Sequence, residues 1–116
     1  MNDSWHRLAE ARSIAYHRRI AEMIREEPER LTRVIAKLRR QVASNDATQR
    51  HWARAWLAIL EQPLEDALAF LTDPGERANE LRQSTPFAGL LPPRLRWQIH
   101  EQVRADWLAQ SRDVAS

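Results

Sequence analysis

Four histidines, His6, His17, His51 and His100, are the side chains of this sequence best suited to proton transfer or metal binding. His6, Glu10 and His17 fall on one face of a helical segment, which suggests a metal site. The two histidines are eleven residues apart, however. That is roughly 16 Å along a helix, whereas one zinc ion needs each ligand within about 2 Å. They cannot share an ion. His100-Glu101 has no second histidine four residues on, so the metalloprotease helix motif is missing. The sequence has no cysteine, which excludes disulfides and thiolate metal sites. No cofactor is expected.

Other chemistries need motifs that are absent. Gly75 and Gly89 are the only glycines, too few for a phosphate-cradling loop or a G-x-S-x-G elbow. HEPN-type ribonucleases use an arginine followed after four to six residues by a histidine, and Arg12–His17 and Arg94–His100 match that spacing. All but Lys37 of the 18 basic residues are arginine, so such matches arise by chance. A HEPN-like helical ribonuclease therefore stands only as an alternative. The carboxylates are scattered beside arginines at helical spacing, where solvated pairing is the default. The chain is not expected to be an enzyme.

Charge narrows the partner less than the pI suggests. The formal net charge is +2. Residues 1–60 carry 12 basic and 7 acidic groups, and residues 61–116 carry 6 and 9. A basic half could meet DNA or an acidic protein surface, which keeps a DNA-binding regulator as a second alternative. No pair of short helices joined by a tight Gly-containing turn, as in a helix-turn-helix, can be isolated. No apolar run approaches a membrane span, and residues 1–20 are charged throughout, unlike a signal peptide. A cytoplasmic protein without membrane partners is expected.

The elements that must position these residues are all helical. Helices are expected over about 4–27, 29–43, 47–61, 63–72, 74–83 and 93–109, with residues 111–116 frayed. Together they form an all-α bundle of five or six helices in a single domain, 1–116. Trp5, Leu8, Ala15, Ile20, Met23 and Ile24 recur at helical spacing in the first, and Pro28 breaks it. Leu31, Val34, Ile35, Leu38 and Val42 make a clean stripe, with Arg30, Arg33, Lys37 and Arg40 opposite. Asp46 and Gln49 have capping-box spacing before the stripe Trp52, Ala55, Trp56, Ile59, Leu60. Leu64, Ala67, Leu68 and Leu71 follow Pro63, and Asp73-Pro74 reads as cap and first residue of a helix carrying Ala78 and Leu81. Leu95, Ile99, Val103 and Trp107 line the last helix. No strand pattern and no repeat is present.

The segment "RQSTPFAGLLPPRLRW", Arg82–Trp97, breaks this regularity by placing Phe87, Leu90 and Leu91 among three prolines and a glycine. These groups either plug the open end of the bundle or form an apolar knob for another protein, rimmed by Arg82, Arg94 and Arg96. Trp97 lies off the Leu95–Ile99–Val103 line, so it either covers this loop or faces a partner.

The stretch "LRQSTPFAGLLPPRLRWQI" resembles the C-terminal signature of a group of small, Ala/Arg-rich helical bacterial proteins, and "HRRIAEMI" resembles that group's first helix. Where the group carries Ser-Pro or Thr-Pro after the leucines, this chain has Pro92-Pro93, which keeps a helix start without a side-chain cap. Genes of the group sit beside a toxin-like gene, often of the nucleotidyltransferase type, and their products are taken to be its antitoxins. The resemblance implies a non-catalytic protein that masks a toxin by direct contact. The expected contact residues are Phe87, Leu90, Leu91, Arg94, Arg96 and Trp97, and replacing Phe87 and Leu91 by alanine is expected to abolish neutralisation while leaving the fold helical.

Overall fold

The computed structural model describes residues 3–115 and is all-helical over them. The elements are α1 (Asp3–Glu26), α2 (Glu29–Val42), α3 (Ala47–Leu60), α4 (Leu64–Leu71), α5 (Glu76–Arg82) and α6 (Pro93–Ala115), with one 3-10 turn, Ala88–Leu90, in the irregular loop. The all-α bundle read from the apolar stripes is the observed architecture.

Each boundary has a local cause. Pro28 interrupts α1 and α2, although its carbonyl still accepts from Leu31 and Thr32, so the chain bends without a long linker. Asp46 caps α3, accepting from Thr48 N at 2.9 Å and Gln49 N at 3.1 Å. The reciprocal half of the capping box is supplied differently: the Asp46 amide donates to the Ser44 hydroxyl. At α5 the expected start moves by two residues. Asp73 Oδ1 is engaged by Gly75 N at 2.7 Å, in a turn outside the helix, and Gly75 takes the N-cap position. At the other end α6 continues six residues beyond the expected 109, because nothing after Pro93 breaks it and Ser111 Oγ donates to the Trp107 carbonyl.

The core lies between the C-terminal half of α1 and the faces of α2, α3, α4 and α5. Ile20, Ala21, Met23 and Ile24 meet Leu31, Val34 and Leu38, then Ala53, Trp56 and Leu60, then Ala67, Leu68, Leu71 and Leu81. Each of the large aliphatic side chains here contributes roughly 1.5–3 kcal/mol by leaving water. The N-terminal half of α1 takes no part in this. Trp5, expected on the apolar face, is 67% exposed, with the edge of His6 against it.

α6 is also distinct. It packs on α1, where Ala11, Ile14 and Ala15 share a crevice with Val103 and Trp107, yet no described residue of α6 is buried. The result is a long molecule, 53 × 32 × 25 Å, with a radius of gyration of 15.6 Å. A compact chain of this length would have about 13 Å. Among the described residues no helix is long and apolar enough to cross a membrane.

Candidate functional site: the loop, the start of α6 and the cleft beneath them

The irregular loop divides its apolar residues between inside and outside. Phe87 is 0% exposed and packs edge-to-face on Trp56 (centroids 5.6 Å apart) and on His17 (6.4 Å). Leu91 is buried and Leu90 half-buried. Phe87 and Leu91 therefore plug the bundle, which corrects their expected display to a partner: both side chains are spent on the core. Arg82, expected on a polar rim, is likewise corrected; it is 3% exposed, with Nη1 donating to the carbonyls of Leu71 (3.1 Å) and Asp73 (2.8 Å).

Four polar contacts hold the plug in register. Trp56 Nε1 donates to the Ser84 carbonyl at 3.1 Å. His17 Nδ1 lies 2.7 Å from the Ser13 carbonyl, which can only accept, so Nδ1 carries the proton. Nε2 is then the acceptor for the Thr85 hydroxyl at 2.8 Å, and Thr85 Oγ1 in turn accepts from Phe87 N at 3.2 Å. Burial holds the His17 pKa below its ordinary value, the Ser13 hydrogen bond opposes this, and the nearby Arg82 charge pushes the same way as burial. His17 is a neutral clip between α1 and the loop.

The start of α6 does the opposite with its aromatic group. Trp97 is 62% exposed and stacks on His100 one turn on, with centroids 5.2 Å apart and planes 12° from parallel. Pro93, Arg96 and Tyr16 complete a shallow groove around this pair, about 260 Å³ in volume. Arg94 is exposed nearby, and Arg96 Nη2 donates to the Ala88 carbonyl at 2.7 Å, tying the first turn of α6 to the 3-10 turn. Of the six expected contact residues, Arg94, Arg96 and Trp97 are thus presented together.

Tyr16 and Arg96 are shared with a second, deeper cleft of about 300 Å³. Its walls come from α1 (Ala9, Arg12, Ser13, Tyr16, His17, Ile20), α5 (Arg82), the loop (Thr85, Ala88, Leu91) and α6 (Arg96). His17, Thr85 and Arg82 were not expected there. One signal was available for His17, which precedes Ile20, Ala21 and Ile24 by three, four and seven residues and so stands on the core stripe. Nothing local marks Arg82. Among the described residues, no group of three His, Asp or Glu side chains comes close enough to hold a metal ion. In comparisons with known proteins, no family model matches the chain, and no curated protein or solved structure matches it either.

Proposed function

We propose that this protein is a non-catalytic, antitoxin-type binding protein that neutralises a partner toxin by direct contact. The carrying observation is Trp97, a large aromatic that is exposed to solvent while stacked on His100, in a groove with Tyr16 and Arg96 and with the exposed Arg94 one turn before it. Tryptophan, tyrosine and arginine are the residues most enriched among energetic anchors of interfaces. A mostly exposed tryptophan contributes little to core burial, and a preformed stack loses little entropy on docking. The partner that the sequence resemblance suggests is a neighbour-encoded toxin of the nucleotidyltransferase type.

The test is co-expression with the neighbouring gene, scored by growth and by recovery of a complex. Trp97→Ala is expected to weaken the complex about thirtyfold, the 2 kcal/mol typical of an anchor, with an unchanged helical spectrum. Wild-type neutralisation by that variant would remove Trp97 from the interface. Failure of the unaltered protein to bind or neutralise any neighbour-encoded protein would end the antitoxin reading.

One observation favours a second reading. Arg12 and His17, at HEPN-like spacing, line the same cleft. Against RNA cleavage, both His17 ring nitrogens are engaged and the residue is 3% exposed, so no ring nitrogen is free to take a substrate proton. Cleavage of single-stranded RNA by the protein alone, lost in His17→Ala but kept in Trp97→Ala, would favour that reading instead.

A further inference from the structure

The deeper cleft carries charge that the protein itself does not pair. Three of its eleven lining residues are arginines, Arg12, Arg82 and Arg96, and none is a carboxylate. Among the described residues Arg12 makes no hydrogen bond or ion pair, and the partners of Arg82 and Arg96 are neutral carbonyls. Asp73 and Glu10 act on Arg82 only through space. Elsewhere Arg19, Arg25, Arg30 and Arg77 form ion pairs, and most other arginines, such as Arg33, Arg40 and Arg104, are exposed to solvent. What sets this cleft apart is that one of its unpaired arginines, Arg82, is buried.

Arg82 makes the point sharper. It is 97% buried by its 3% exposure, and its Nε and Nη2 have no hydrogen-bond partner. A buried guanidinium with unfilled donors and no ion pair is unfavourable unless an anion compensates it. With it the cleft is lined by Ser13, Thr85, Tyr16 and His17, over an apolar floor of the buried Ile20 and Leu91. The mouth lies toward the exposed Arg96 and Ala88, and the closed end toward His17 and Arg82.

We infer that this cleft binds a small phosphorylated molecule, with the phosphoryl group between Arg12 and Arg96 and its charge offsetting that of Arg82. Arginine forks match phosphate oxygens in pairs. The volume is at the low end of the roughly 300–1,000 Å³ of ligand pockets, which suits a mononucleotide or a phosphorylated sugar. The apolar floor and Tyr16 receive the part that carries no charge. A nucleic-acid backbone offers the same phosphate chemistry, but a concave site closed at one end favours a terminal phosphate on a small molecule.

Thermal unfolding of the full chain tests this, with inorganic phosphate, ribose 5-phosphate, AMP, adenosine and a short single-stranded RNA as probes at constant ionic strength. A ligand that binds only the folded state raises the midpoint with concentration. AMP and ribose 5-phosphate are expected to give saturable shifts, with inorganic phosphate weaker and adenosine without effect. Arg12→Gln and Arg96→Gln should each raise the half-saturating AMP concentration about tenfold or more, and Arg104→Gln, on the exposed face of α6, should leave it unchanged. Should either cleft variant lower the unliganded midpoint, the AMP-induced perturbation of the His17 ring resonances in wild type still reads occupancy. The inference is overturned if no phosphorylated probe gives a saturable shift, if sodium chloride reproduces the shift, or if Arg104→Gln weakens it as much as the cleft variants. RNA binding more tightly than AMP would overturn the small-molecule assignment.

Discussion

Phe87 and Trp97 stand ten residues apart in the same Pro- and Arg-rich stretch, and the fold treats them oppositely. Phe87 is sealed between Trp56 and His17, while Trp97 lies against His100 and faces water. The difference is in what surrounds each. Phe87 is followed by a 3-10 turn that folds it back under α3, whereas Trp97 sits at the start of the second turn of α6, off the Leu95–Ile99 line that packs on the core. An aromatic in an irregular segment says little until its backbone is placed. Once placed, one residue belongs to stability and the other is available for recognition.

Breaking that contrast begins with Phe87→Ala. Truncating a fully buried phenylalanine costs about 3–5 kcal/mol, enough to take much of the stability of a domain this size. Urea unfolding should show it as a fall in midpoint at unchanged slope. Neutralisation would then be lost with the fold, unlike the expectation of a helical but inactive variant. Trp97→Ala reverses the pattern: affinity for the partner falls about thirtyfold, while the urea midpoint stays within about 0.5 kcal/mol of wild type, as for other surface changes.

His17 gives a third and smaller effect, read by pH. Its pKa in the folded chain is lowered, and in the unfolded chain it is near the usual value of about 6.5. As pH falls below that value the unfolded state takes up a proton that the folded state refuses, so stability is present above about pH 6.5 and declines toward pH 5. The midpoint of thermal unfolding should drop over that interval. In His17→Gln the drop should shrink, and an identical profile would show that His17 does not cause it. The smallest effect is expected at the start of α3, where Asp46→Ala removes a cap worth about 1 kcal/mol. Chemical denaturation should find that loss with no change in partner binding, since Asp46 lines neither the Trp97 groove nor the cleft.

Much of the fold was legible because the stripes are local. Leu31, Val34 and Leu38, or Ala67, Leu68 and Leu71, are buried where helical periodicity puts them. The candidate site was legible only in part. Arg94, Arg96 and Trp97 could be singled out by type and position, but the fate of Phe87 depended on a gap between Trp56 and His17 that periodicity does not describe. Arg30 shows the same limit: it stands on the expected solvent side of α2, yet reaches back to the Met23 carbonyl across the Pro28 bend. Long-range polar partners are invisible to a one-dimensional pattern. Arg82, whose acceptors are the carbonyls that close α4, is the clearest case.

The His17–Thr85 clip also bears on the order of assembly. It joins residues 68 positions apart, and Trp56 and Phe87 close over the same loop. While the chain is being synthesised, α1 has no loop to dock against until the residues beyond Phe87 have left the ribosome. The apolar faces of α1, α2 and α3 stay partly uncovered for that time, the condition under which nascent chains aggregate or enlist chaperones. These long-range contacts are ones that the newborn chain cannot complete until synthesis has passed Phe87.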